Sequence, residues 1–335
     1  MSDKKRLLIT GGTGFIGHHM VEHFIHNTDW EIVILDSISY AGDMNRIVDS
    51  GVDLTRIKFI YHDIRAQFND RLINEIGHID YIIHTAAETH VENSLKDPKP
   101  FVYTNVVGTY NMLEYAKTLY QAKILKKYIQ ISTDEVYGPA PHDTEWKEWD
   151  RLFPSNPYSA TKAGGDCLAL AYAKSFNLPI TVCRSMNNFG ERQHPEKFIP
   201  LIMKSVIEKK IIKVHAQRNK DGGWESGSRL WLHARNHADA VFFLLSNPND
   251  ELIINIVGER EVSNLDMVGL ISKFMGIEAK WEWFDFHSSR PGHDLRYALD
   301  GTKLKSLGWK MPVSFEDSLK KTVEWTLEHQ KYLAW

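Results

Sequence analysis

Short apolar runs alternate with helix-length amphipathic stretches through the first half of the chain. Leu7 to Thr10, Glu31 to Asp36, Lys58 to Tyr61, Tyr81 to His84, Tyr128 to Ser132 and Ile180 to Arg184 are β-branched or aromatic runs that end in turn residues. Such runs predict strands buried on both faces. The stretch from Pro157 to Phe176 predicts a helix. Strand and helix in regular alternation give an α/β fold with a doubly wound parallel sheet. After about residue 184 turn-rich segments such as Asn219-Lys220-Asp221-Gly222-Gly223 separate shorter elements, which predicts a smaller C-terminal α/β lobe. The expected division is 1–184 for the sheet domain and 185–335 for the lobe, with some lobe segments returning to the sheet.

Composition removes several function classes. At 335 residues the chain exceeds one small core. A formal charge of -3 with mixed signs offers no basic field for nucleic acid. Cys167 and Cys183 lie in no CxxC or Cys/His cluster, so neither a disulfide framework nor a metal site is expected. The first residues run directly into a strand, and no segment reaches membrane-spanning length. The expectation is a soluble, cytoplasmic protein with neither membrane nor nucleic-acid partners.

Chemistry enters with Gly11-Gly12-Thr13-Gly14-Phe15-Ile16-Gly17, which follows the first strand and opens a helix. That is the context of a Rossmann-type dinucleotide loop: Gly11 permits the turn, Gly14 admits a pyrophosphate to the backbone, and Gly17 lets helix and sheet approach. Asp36 ends the next strand, where a carboxylate accepts the adenosine ribose hydroxyls and repels a 2′-phosphate. With no Arg or Lys at 37 and 38, the cofactor expected is NAD. Asp63 is a weaker candidate for the adenine edge, a turn-capping Asp being an equal reading.

Thr133-Asp134-Glu135 closes the run that starts at Tyr128, and Tyr158 and Lys162 follow, one helical turn apart on one face. An ammonium beside a phenol favours the phenolate, which makes Tyr158 a usable base. Adjacent carboxyls push their pKa values apart, which suits one acid and one base.

These residues carry a resemblance. Ser39-Tyr40-Ala41-Gly42, His62-Asp63-Ile64-Arg65, Ala86-Ala87-Glu88-Thr89-His90-Val91, Ser132 to Gly138, Pro157 to Ala163, Asn187-Asn188-Phe189-Gly190, Pro195 to Pro200 and Arg290-Pro291-Gly292-His293-Asp294 occur in one order along most of the chain. The chain resembles the extended short-chain dehydrogenase/reductase superfamily and, within it, the nucleotide-sugar 4,6-dehydratases, above all those acting on dTDP-glucose. The resemblance implies oxidation at C4 with Tyr158 as base, Thr133 on the same oxygen and Lys162 assisting. It then implies elimination of water across C5 and C6 by Glu135 as base and Asp134 as acid, and return of hydride to C6. It implies Phe15, Ile16, Ile64, Ala86 and Ala87 beside NAD, and Thr89, His90, Asn187, Glu196, Lys197, Arg229, Asn255, Arg290 and His293 around the nucleotide sugar. It also implies a homodimer through the helices near 101–119 and 158–176.

Two departures bear on the nucleotide. The long turn-rich stretch 217–228 precedes Arg229-Leu230-Trp231, and His233-Ala234-Arg235-Asn236-His237 replaces a more acidic sequence. Trp146 and Trp149 are expected to pack against the lobe, with a sugar pocket as the other reading. The alternatives to a dehydratase are an epimerase or decarboxylase on the same scaffold and, in another class, a non-catalytic NAD-binding protein.

Overall fold

The computed structural model describes residues 4–285 and 295–334. Six strands in chain order, β1 (Arg6–Thr10), β2 (Glu31–Asp36), β3 (Ile57–Tyr61), β4 (Tyr81–His84), β5 (Lys127–Thr133) and β6 (Ile180–Ser185), build a parallel sheet with the strand Ile253–Ile256 at its far edge beside β6. Every strand expected from the apolar runs is present, with ends that differ by no more than a residue. The seventh is new to the picture. Ile253-Ile254-Asn255-Ile256 is too short and too isolated to stand out as a strand, and pairing with β6 is what makes it one. It brings part of the second half of the chain back into the first domain.

The two faces of the sheet are sorted by the period-2 alternation of its strands. Leu7, Ile9, Ile32, Ile34, Ile83, Ile129 and Ile254 lie in one apolar core, and Leu8, Val33, Ile82, Tyr128, Ile180 and Val182 in the other. Helix α1 (Phe15–Asn27) covers the first with the helix Ala234–Ser246; the helices Thr109–Gln121 and Pro157–Phe176 cover the second. Strand order runs from β1 through β2 to β3 on one side and through β4, β5 and β6 on the other. The order therefore reverses between β1 and β4, and a crevice opens there at the carboxyl ends of the strands.

The helix Pro157–Phe176 has a well-specified start. Asn156 accepts the Ser159 backbone N–H at 2.9 Å, the Ser159 hydroxyl reciprocates to the Asn156 backbone N–H at 3.3 Å, and Pro157 sits at the first turn. Asn177 in left-handed conformation ends it. Gly165 lets it approach the segment Tyr103–Gly108, where a Cβ would lie 2.9 Å from the Asn105 carbonyl oxygen. That segment is a π-helix, a widening that period-3.6 patterning did not reveal.

The lobe has its own core of Phe189, Ile199, Met203, Val214, Trp231, Met267, Ile271, Phe315 and Leu319. The stretch 217–228 belongs to it as a hairpin. Ile212–Arg218 pairs antiparallel with Trp224–Ser226, and Gly222 takes positive φ at the turn. No residue of 217–228 is among those that line the cleft described below. Trp146 stacks on Tyr137, with ring centroids 6.5 Å apart, and Trp149 is exposed.

A buried ion pair ties the sheet to the long helix that covers it. The Nε of Arg184, on β6, donates to Asp166 Oδ2 at 2.9 Å, and its Nη1 donates to the Tyr137 hydroxyl at 2.7 Å and the Glu148 carbonyl at 3.0 Å. Both side chains are sealed from solvent. Replacing Asp166 by Ala leaves a buried guanidinium without its counter-ion, so Asp166→Ala should cost about 3–5 kcal/mol in denaturant unfolding. A loss under about 1 kcal/mol would contradict this account.

Candidate active site

The glycine loop joins β1 to α1 at the crevice. Gly11 has φ +67 and a Cβ there would meet the Ala86 backbone at 2.7 Å; at Gly17 it would lie 2.0 Å from the Gly11 carbonyl oxygen. Gly11, Gly14, Phe15, Ile16 and Gly17 line the cleft with Asp36, Asp63, Ile64, Ala86 and Ala87. Asp36 Oδ2 holds the loop by accepting the Thr13 backbone N–H at 2.9 Å and hydroxyl at 2.7 Å, while Oδ1 accepts the Ile38 N–H at 2.8 Å. A carboxylate has about four acceptor positions, so Asp36 retains capacity for ribose hydroxyls. Asp63 is paired with Arg65 at 2.8–2.9 Å from Nε, and this holds its carboxyl below the usual range. A cradle that only glycine can form, a helix start and a strand-end carboxylate fit a dinucleotide.

The cleft continues to the ends of β5 and β6, lined by Ser132, Thr133, Asp134, Glu135, Tyr158, Ser185 and Asn187. Thr133 is its hub. Its hydroxyl donates to Asp134 Oδ1 at 2.8 Å, accepts the Glu135 backbone N–H at 3.3 Å and bonds the Tyr158 side chain. Asn156, the cap of the Tyr158 helix, donates to Glu135 Oε2 at 3.2 Å. One helix start thus positions both the tyrosine and the glutamate. Ser132 Oγ, Asp134 Oδ2 and Asn187 Oδ1 are buried without a hydrogen-bond partner among the described residues, which marks the places where a polar ligand is expected.

The electrostatics differ from the simplest expectation. Burial alone pushes the Asp134 carboxyl up to about 6, against the Thr133 hydrogen bond and the Arg229 charge, which lower it. Burial and the Glu135 charge push the Tyr158 phenol well above its ordinary value. Burial also lowers Lys162 to about 8, and its Nζ donates to the Ile131 carbonyl at 2.7 Å and does not line the cleft. The expected lowering of Tyr158 by Lys162 is therefore absent in the chain alone, because desolvation outweighs a charge whose hydrogen bond is spent on the backbone.

Other expected ligands separate into two groups. Thr89, Asn187, Glu196 and Lys197 line the cleft. His90 stands just behind, 4.0 Å from Glu196. Arg229 and Asn255 do not line it. Arg229 Nη1 donates to the Ser228 and Leu295 carbonyls at 2.6 and 2.7 Å, with its guanidinium over the Tyr297 ring. Asn255 is fully buried in its strand, accepting the Tyr137 hydroxyl at 3.1 Å and donating to the Trp146 carbonyl at 2.9 Å. The resemblance implied Asn255 around the nucleotide sugar, whereas its strand's pairing with β6 makes it part of the core. Arg290 and His293 lie outside the described residues.

Sequence reasoning passed over Arg46, Glu88, Gln193 and His194, which line the same cleft. None stands in a motif with an obvious chemical reading; only the return of three loops to one place selects them. Among the described residues, His18, His19 and Glu22 bring potential metal-ligand atoms within 4.8 Å of one another. Arg192 already holds Glu22 at 3.0 Å, and its cation opposes a second one there.

Compared with known families, residues 8–322 match the model described as GDP-mannose 4,6 dehydratase. The dTDP-glucose 4,6-dehydratase of Escherichia coli is 34% identical, over 98% of this chain and 94% of that protein. The low-salt glycan biosynthesis protein Agl12 of Haloferax volcanii is 38% identical, over 96% of this chain and 98% of that protein. Among solved structures, the dTDP-glucose 4,6-dehydratase from Streptomyces venezuelae with NAD bound matches with a TM-score of 0.87 at 33% identity, covering 98% of this chain and 99% of that one. The UDP-glucuronic acid 4-epimerase from Bacillus cereus matches at 0.85 and 26% identity, covering 97% and 99%. The chain belongs to the GDP-mannose 4,6 dehydratase family of the short-chain dehydrogenase/reductase superfamily.

Proposed function

We propose that the protein is an NAD-dependent nucleotide-sugar 4,6-dehydratase, with dTDP-glucose as substrate, converting it to the 4-keto-6-deoxy sugar with loss of one water. The observation that carries this reading is the convergence of Thr133, Asp134, Glu135 and Tyr158, with the Asp134 carboxyl pushed up by burial to about 6. The dTDP-glucose assignment rests on the relatives that bear that name at 34–35% identity.

NAD bound along the glycine loop supplies the acceptor for the C4 hydride and the donor that returns one to C6. The chain's own groups do the proton work. Tyr158 takes the C4 hydroxyl proton, and Thr133, bonded to it, holds the same oxygen. Lys162, at about 8, is still charged at neutral pH and supplies the positive charge that lets the phenol give up its own proton. Once C4 is a ketone, the C5 hydrogen is acidic. Glu135 removes it while Asp134 protonates the departing C6 hydroxyl, which leaves as water. After hydride reaches C6, Glu135 returns its proton to C5. An epimerase has no use for such an acid beside such a base; elimination needs both.

Mass spectrometry of dTDP-glucose incubated with protein and NAD should show loss of one water without net NADH. Intact C6 oxygen in every product would sink the dehydratase reading. Tyr158→Phe should lower turnover by about 10²–10⁴. Glu135→Gln should permit C4 oxidation and block elimination, so NADH fluorescence builds up; equal turnover with no NADH would count against its role.

Asp134 also makes a stability statement. Its folded pKa lies above its ordinary value of 3.8, so the folded state holds the proton more tightly. The stabilisation is present at low pH and is lost as pH rises from about 4 through about 6. Melting temperatures of Asp134→Asn and the parent protein should therefore be similar near pH 4, with the variant gaining on the parent by pH 7. A pH-independent difference would show that Asp134 is not the group titrating.

A further inference from the structure

We propose that Arg46 is a positioning residue whose guanidinium ties the dinucleotide end of the cleft to the loop bearing its substrate-facing side chains, so that binding at one end orders the other. The inference deepens the function proposed above and rests on it for what each end binds.

Arg46 stands on the short helix Asn45–Val48 and is almost fully buried at the cleft wall. Its Nη1 donates to the Thr13 carbonyl at 3.0 Å and the Ala41 carbonyl at 2.5 Å, and its Nε donates to the Arg192 carbonyl at 3.0 Å. Thr13 lies in the glycine loop and is the residue that Asp36 grips. Ala41 lies in the loop that leaves β2 and lines the cleft. Arg192 precedes Gln193, His194, Glu196 and Lys197, which also line the cleft. Three stretches remote in sequence thus meet on one side chain.

The chemistry of the junction selects arginine. All three acceptors are main-chain carbonyls, so the guanidinium fixes backbone paths and leaves no side-chain partner free to swing away. A rigid fork with five donors can serve three diverging carbonyls, whereas an ammonium has three donors around a point. Each end of the link is also braced from outside. Arg192 donates to Glu22 on α1 at 3.0 Å and lies over the Trp325 ring, and Asp49, which caps the Arg46 helix, accepts the Tyr332 hydroxyl at 2.7 Å. Movement of the glycine loop relative to residues 191–197 must therefore break or carry the Arg46 hydrogen bonds. A ligand that fixes Thr13 reduces the freedom left to Arg192, and the reverse holds by linkage.

Hydrogen–deuterium exchange with mass spectrometry on the full chain, with NAD as the probe, tests this in the parent, Arg46→Lys and Arg46→Met. In the parent, NAD should slow exchange at 11–17 and also, by about fivefold or more, at 191–197. In Arg46→Met the slowing should persist at 11–17 and vanish at 191–197. Arg46→Lys, which keeps the charge and the fold, should retain only part of it. Undiminished slowing at 191–197 in both variants would overturn the proposal. So would faster exchange there that is the same with and without NAD in every form, since a purely structural role predicts that. Slowing at 11–17 without slowing at 191–197 in the parent would overturn this proposal alone. No slowing at 11–17 in the parent would overturn the cofactor reading and this proposal with it.

Discussion

Parallel pairing of strands buried on both faces is the constraint on which the rest of the molecule depends. It sets every strand in the same direction, so Thr10, Asp36, His84, Thr133 and Ser185 all emerge at one edge. Backbone groups at that edge no longer have ladder partners, and helix starts supply N–H donors beside them. A polar cleft at this edge is a consequence of the topology; the side chains only decide what it holds.

Within that cleft the protein uses one segment for two purposes. The cap at Asn156 starts the helix that delivers Tyr158, and the same Asn156 side chain reaches Glu135 at the end of β5. The hydroxyl of Thr133 links Asp134, Glu135 and Tyr158. Desolvation then sorts these groups by protonation state, because a buried carboxyl or phenol favours its neutral form. The same burial raises the Asp134 carboxyl and withholds easy ionisation from Tyr158. Lys162 stands one turn along the same helix, with its ammonium on the Ile131 carbonyl.

A buried polar network holds the frame behind the cleft. Arg184 and Asp166 lock β6 to the long helix, while Tyr137 and Glu148 bind the same guanidinium from the turn and loop after β5. Asn255 extends this network through Tyr137. Asn255, which the resemblance implied around the nucleotide sugar, thus sits in the frame behind the cleft.

The sequence by itself determined the six central strands, the long helix with its cap, the glycine cradle and the Thr133-Asp134-Glu135 and Tyr158 set. Each of these is written in local terms: a period of two, a capping residue, a position open only to glycine, or a motif of fixed spacing. Tertiary structure decided what local pattern cannot carry. It made Ile253–Ile256 a strand by offering β6 as partner, turned Asn255 inward, and folded 217–228 into a hairpin. It brought Arg46 to the carbonyls of Thr13, Ala41 and Arg192. It also set the protonation of Asp134 and Tyr158, since desolvation is a property of the surroundings that the whole fold assembles and no stretch of sequence contains.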